Sequence, residues 1–253
     1  MGKGRAIRIP PVVSGLIGLA LLIVSVEIMA DAGVFPKLSV PPPSAIAEAV
    51  WRLIATEGLL TALAATLATT LCAVGAAIIV GLPAGYFLYR HRAFRLAYRN
   101  WLAALFAAPT VLLYPLVLVL FGRTYAAIAV MAFVTGIVPI VLGTCDGLAG
   151  VPRVLLNVGR VFHTSRVQEF RKILLPAGAW TIFTGIRLGT IYALLNVIGI
   201  EFLVNFGGLG YLVSSMYDRF DFPGMYAAVL FVILICVSIL QALSAIERRL
   251  RPA

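Results

Sequence analysis

Phe206-Gly207-Gly208-Leu209-Gly210 is the run in this chain that most invites a chemical reading, as a glycine-rich loop whose backbone amides would cradle a phosphate. No strand pattern precedes it and no Lys-Ser or Lys-Thr follows, so the phosphate reading fails and no nucleotide site is expected here. His91 and His163 stand among basic residues, with no carboxylate or cysteine at ligand spacing, which argues against a metal. Cys72, Cys145 and Cys236 lie far apart in apolar runs and read as small packing residues. There is no Ser-His-Asp set and no pair of carboxylates within an apolar run, so the chain is read as a non-enzyme without a cofactor of its own.

What remains is a set of polar side chains in or beside one long apolar run: Arg187, Asn196 and Glu201. Arg187 lies eleven residues beyond Pro176, which in a helix is roughly 16 Å. A charge at that depth in a bilayer costs at least about 2.5 kcal/mol, so it should face a bundle interior or a wet cavity. Two roles stay open for it: drawing an anion along a path, or hydrogen-bonding the backbone carbonyls of a kinked neighbour. Glu201, fourteen residues further on, reads as a gate residue or as a structural partner of Arg219 or of a loop amide. All three are carried forward as candidates for a polar path.

The elements that hold these residues are set by composition. Hydrophobic residues make up 62% of the chain and charged ones 12%, with mean hydropathy +1.04. A soluble domain carries about twice that charged fraction. A protein of this size has no way to hide so much apolar surface from water, so lipid is its main solvent. A single all-α transmembrane domain over 1–253 is expected. Uncharged stretches of bilayer length place six spans near 9–33, 59–89, 100–122, 124–146, 176–200 and 222–246. The first is read as a span and not as a cleaved leader. The net charge of +10 reports orientation and not a nucleic-acid partner. Of the twenty Lys and Arg, fifteen fall on one side of such a six-span chain and four on the other, with Arg187 inside a span. That bias puts both termini, and the loop 149–175, in the cytoplasm.

Pro83, Pro109, Pro115 and Pro139 fall within spans, where they mark kinked helices around a central space or simple packing bends. Behind Pro41-Pro42-Pro43-Ser44, residues Ile46, Val50, Leu53 and Ile54 share one helical face and suggest a short interfacial helix on the outer surface. Gly185, Gly189 and Ala193, spaced by four, form a stripe that another helix can approach closely.

The loop 149–175 contains a second pattern. Val151–Phe162 reads as a helix with Pro152 in its first turn and Val154, Leu155, Val158, Val161 and Phe162 on one stripe. Arg153 and Arg160, seven apart, share another face. Such a helix either docks in a groove on a soluble partner or lies on anionic lipid.

Asn157-Val158-Gly159, His163 and Ile173-x-Leu175-Pro176 have the spacing of the EAA loop, and the chain resembles the permease subunits of binding-protein-dependent ABC importers. Ser165-Arg166, Phe170 and Arg171 match that loop as well. Val40-Pro41-Pro42-Pro43-Ser44, Thr184-Gly185-Ile186-Arg187, Glu201-Phe202-Leu203, Gly207 to Leu212, and Glu247-Arg248-Arg249-Leu250 are similar to the nitrate, sulfonate and taurine branch. The resemblance implies a type I permease fold with a cytoplasmic coupling helix between spans 4 and 5. It implies import across a bacterial inner membrane by alternating access, moving a small anionic or organic solute. Implied partners are two ATP-binding cassette subunits that carry ATP and Mg, a second permease, and a periplasmic or lipid-anchored solute-binding protein, which Glu201 would be placed to contact. Arg153, Asn157, Val158, Gly159, Arg160, His163, Ser165, Arg166 and Pro176 take the coupling positions.

The departures carry information. Where the family has Glu, Ala and Gly, this chain has Asn157, Gly159 and His163. Histidine enters the left-handed turn expected at the last position less easily than glycine does. The weakened loop suggests a different, more regular permease as the second subunit. An autonomous secondary carrier is the alternative function, but it needs carboxylates inside the spans, whereas Glu27, Asp31 and Asp146 lie near span ends.

Overall fold

A computed structural model of the protein describes residues 11–33 and 40–250. The first two residues of the expected first span, and the expected cytoplasmic cations Lys3, Arg5, Arg8 and Arg251, lie outside the described residues, as does Lys37. Helices account for nearly all of the rest. In chain order they are α1 (Pro11–Asp31), α2 (Pro43–Ala55), α3 (Leu59–Arg90), α4 (Arg92–Ala107), α5 (Tyr114–Phe121), α6 (Tyr125–Ala149), α7 (Arg153–Val161), α8 (Arg166–Glu169), α9 (Leu175–Val204), α10 (Gly208–Asp218) and α11 (Phe222–Leu250). Among the described residues, five helical stretches are long and apolar enough to cross a bilayer, and one bent pair makes a sixth if it counts as one span.

That bent pair falls on the third span expected at 100–122, where Pro109 and Pro115 mark a kink or packing bend. α4 and the segment Thr110–Phe121 meet at 87°. Pro109 is the cause: it has no N–H to continue α4 and pushes the preceding residue out of the helical region. Ala108 accordingly sits at φ −71°, ψ 143°. A single 3-10 turn, Thr110–Leu113, restarts the helix, with Pro115 in the first turn of α5.

The centre of the bundle is α3, α6 and α9. In lipid no hydrophobic drive pulls helices together, so close packing of small residues has to do it. The glycine stripe on α9 meets a matching one on α6. A Cβ on Gly185 would lie 2.6 Å from the carbonyl oxygen of Pro139, and one on Gly143 would lie 2.7 Å from the Cα of Gly185. Around this seam Ala73, Val74, Ile128, Met131, Ala132, Ala193, Val197 and Ile200 pack into one core, with Tyr114 of α5 against it.

A second core lies at one end of the bundle, where α2 packs on α10 and α11. Ala49, Leu53, Leu59, Leu209, Leu212, Met216, Ala227 and Ala228 are its buried members, with Ile46 and Val50 against them. So α2 turns the expected apolar face onto protein; Ile54 alone of that face stays exposed. α10 was not foreseen. Its residues Leu209, Leu212 and Met216 sit at helical spacing, and burying a Leu or Met against water is worth about 1.5–3 kcal/mol. Two ion pairs pin this end: Arg52 with Asp221, and Arg219 Nη1 with Glu57 Oε2 at 3.1 Å.

Candidate functional site

At the opposite end, α7 runs over Arg153–Val161, shorter than the expected Val151–Phe162 by two residues at its start and one at its end. Pro152 precedes the helix as its N-cap instead of entering the first turn. Val154, Leu155, Val158, Val161 and Phe162 are all exposed, so the predicted apolar stripe is left uncovered by this chain. Arg153, Asn157 and Arg160 are exposed as well, with Arg160 Nη1 3.4 Å from Asn157 Oδ1. Gly159, in contrast, is buried: a Cβ there would meet Ile173 Cδ1 at 2.6 Å.

The end of α7 explains His163. Its φ is +50°, the left-handed value that the glycine slot demands. Its amide donates to the Arg160 carbonyl at 3.0 Å, and the Thr164 amide donates to the Gly159 carbonyl at 3.0 Å. These two bonds are the paired closure of a Schellman turn, with histidine at the position where glycine is usual. The Thr164 hydroxyl adds a third bond to the same Gly159 carbonyl at 3.0 Å.

The expected loop 149–175 is otherwise largely helical. Ser165 caps α8 through a reciprocal pair with Gln168: the Gln168 amide donates to Ser165 Oγ, and the Ser165 amide donates to Gln168 Oε1 at 2.9 Å. Arg166 opens α8, and a π turn at Phe170–Leu174 runs without interruption into α9. Pro176 accounts for the π turn. It has no amide to offer the Lys172 carbonyl, and the wider turn makes room for its ring. The Leu175 amide reaches back to Phe170.

The three path candidates do not converge. Arg187 on α9 donates to Glu247 Oε2 on α11 at 2.7 Å and to Ser244 Oγ at 3.3 Å. Thr184 Oγ1 donates to the other Glu247 oxygen at 2.6 Å. Arg187 therefore has its counter-charge within the chain, and a carboxylate takes the place of the carbonyls suggested by the sequence. Asn196 faces the opposite side of α9, toward the α4–α5 break: its Nδ2 lies 3.5 Å from Thr110 Oγ1, which is 3.2 Å from Thr135 Oγ1 on α6. Among the described residues the Asn196 Oδ1, the Tyr114 hydroxyl and the Arg187 Nε are buried without a hydrogen-bond partner.

Glu201 is fully buried. It accepts from Thr66 Oγ1 of α3 at both oxygens, 2.9 and 2.8 Å, and from the Gly210 amide at 3.1 Å. The Leu209 amide donates to the same Thr66 hydroxyl at 2.8 Å. The glycine-rich run is thus a clasp around a carboxylate. Gly208, at φ +80°, leaves no room for a side chain, since a Cβ there would meet Glu201 Oε1 at 2.1 Å. The loop-amide alternative holds and the Arg219 alternative does not, because Arg219 pairs with Glu57. Thr66, Thr110 and Glu247 were missed from sequence. No group of three His, Cys, Asp or Glu that would hold a metal occurs among the described residues.

This geometry is that of a membrane bundle with a clasped end, a bent helix pair and an uncovered amphipathic helix at the other end. Comparison with known proteins agrees. The family model described as binding-protein-dependent transport system inner membrane component matches residues 73–252. The nitrate import permease protein NrtB of Synechocystis sp. is 25% identical, with 96% of this chain and 91% of that protein covered. The taurine transport system permease protein TauC of Escherichia coli is 23% identical, covering 92% of this chain and 87% of its own length. Among solved structures, an inward-facing conformation of the MetNI methionine ABC transporter superposes with TM-score 0.67 at 22% identity, over 77% of this chain and 96% of the solved one. That likeness concerns the fold.

Proposed function

The chain belongs to the binding-protein-dependent transport system inner membrane component family, and we propose how it works as the permease subunit of an ATP-driven ABC importer. It is a transport subunit and not an enzyme. α7 is its coupling helix. Val154, Leu155 and Val158 enter a groove on an ATP-binding cassette subunit, flanked by Arg153, Arg160 and Arg166. Asn157, Gly159, His163, Ser165 and Pro176 fix the helix and its exit. Both termini and α7 face the cytoplasm of a bacterial inner membrane, a reading supported by the Lys and Arg bias.

Two such ATPases carry the ATP and Mg. Closure of their dimer displaces α7, and the displacement enters the bundle through α8, the π turn and α9, a path helical from Arg166 to Val204. α9 is seated glycine-to-glycine on α6, so the two move together and switch the path between inward- and outward-facing. A second permease with a more regular loop completes the path, and a periplasmic or lipid-anchored binding protein delivers solute at the α2–α10 end. Asn196 borders the path; Arg187 and Glu201 hold the helices that shape it. The solute is a small anionic or organic molecule of the nitrate or taurine type, in keeping with the relatives' names.

The uncovered stripe on α7, joined through the tight turn at His163 to a helical path that runs from Arg166 into the core, is the observation that carries this reading. Reversing both charges, Arg153→Glu with Arg160→Glu, should release the ATPase on copurification while the permease remains in the membrane. Copurification at wild-type yield would remove α7 from the docking site. A purified complex holding one permease species in two copies would remove the heterodimer.

A further inference from the structure

Between α7 and the membrane bundle lies a cavity of about 440 Å³, and of its wall the importer reading uses only Arg160 and Arg166, for ATPase docking. Four helices each contribute one arginine to its wall: Arg90 from α3, Arg95 from α4, Arg160 from α7 and Arg166 from α8. A single carboxylate, Glu169, faces them. Elsewhere Arg52, Arg99, Arg187 and Arg219 each have an Asp or Glu partner. Among the described residues none of the four cavity arginines is within ion-pairing distance of a carboxylate.

Four guanidinium groups without a carboxylate partner, three of them solvent-exposed, face one space and repel each other, and a bound counter-charge would relieve that repulsion. Guanidinium is donor-only and fork-shaped, which suits the oxygens of a tetrahedral anion, and the phenols of Tyr86 and Tyr89 in the same wall are further donors. Tyr86 is held in place by an edge-on contact with Phe170, ring centres 4.8 Å apart. We propose that this cavity binds a phosphate-type oxyanion, carried either on a phospholipid headgroup at the membrane surface or as a free anion in the aqueous phase. Bound there, the anion bridges α3 and α4 to α7 and α8 and restrains α7. Any effect on transport rests on the coupling role proposed above; binding does not.

The test uses the full-length chain in a neutral detergent. One arm measures retention of phosphatidylglycerol against phosphatidylcholine by native mass spectrometry; the other measures binding of inorganic phosphate by calorimetry. Arg90→Gln with Arg95→Gln should weaken whichever ligand binds by about thirtyfold, from the attraction expected of two neutralised cations. Glu169→Gln removes the only opposing charge and should strengthen it by about fivefold, so the proposal stays testable if the double variant does not fold. Preference for phosphatidylglycerol identifies a headgroup, and phosphate binding without lipid preference identifies a free anion; either supports the site. Binding of neither, or equal binding by wild type and both variants, overturns it. ATPase copurification at wild-type yield by Arg153→Glu with Arg160→Glu, with anion binding by the wild type intact, would count against the coupling reading alone.

Discussion

Thr66 and Glu201, separated by 135 positions, are joined inside the bundle by a hydroxyl-to-carboxylate hydrogen bond of 2.8 Å. The hydroxyl also accepts from the Leu209 amide, so one threonine ties α3 to the end of α9 and to the start of α10. A buried carboxylate needs every donor it has, because water is not there to replace one that is lost.

Thr66→Val keeps the shape and removes both bonds. It should destabilise the protein by about 1–3 kcal/mol, read as a fall in thermal unfolding temperature in detergent. Thr66→Ser restores the hydroxyl and should unfold near the wild-type temperature. An unchanged midpoint for the valine variant would show that the clasp contributes nothing to stability.

Arg187 and Glu247 should behave as a pair. Arg187→Met leaves the carboxylate at 11% side-chain exposure without its cation, and a loss of about 2–4 kcal/mol is expected, below the fully buried case because Arg187 is partly exposed. Adding Glu247→Met should recover most of that stability and most of the uptake. Recovered stability with uptake still absent would instead assign Arg187 to the solute.

His163→Gly should stabilise the end of α7 by about 1 kcal/mol, since glycine reaches positive φ without the side-chain clash. His163→Val should destabilise it, a β-branched residue being the worst fit at φ +50°. Thermal unfolding of the two variants in opposite directions from wild type is the expected result. Movement in the same direction would show that the imidazole itself holds the turn.

Much of this was legible before any coordinates. The apolar runs located the long apolar helices, the 3.6-residue stripe located α7, and the Gly185-Gly189-Ala193 spacing marked the seam that α6 fills. His163 was readable as a left-handed residue because the family places glycine there. The rest escaped for physical reasons. Pro109 marks the place of the break in an apolar run but not its angle, so the run reads the same whether the helix bends slightly or turns through 87°. α10 hid behind Gly207 and Gly208, which signal a loop until Glu201 is seen filling the space between them and α9. Glu247 sits 60 positions from Arg187 in a basic terminal stretch, and nothing local points one toward the other. For Arg187 the sequence suggested an anion or backbone carbonyls, and for Glu201 a gate role, Arg219 or a loop amide; tertiary contact gave Arg187 the carboxylate of Glu247 and gave Glu201 the hydroxyl of Thr66 beside the loop amide of Gly210.

α3 extends as one helix from the clasp at Thr66 to Tyr86 and Arg90 at the arginine-lined cavity, a separation of roughly 30–36 Å. The two faces of the protein therefore share a beam, and its one weak joint is Pro83, where a backbone hydrogen bond is missing. Stiffening that joint with Pro83→Ala should make a disturbance on one face more costly to the other, measurable as a larger interaction energy between Thr66→Val and Arg90→Gln.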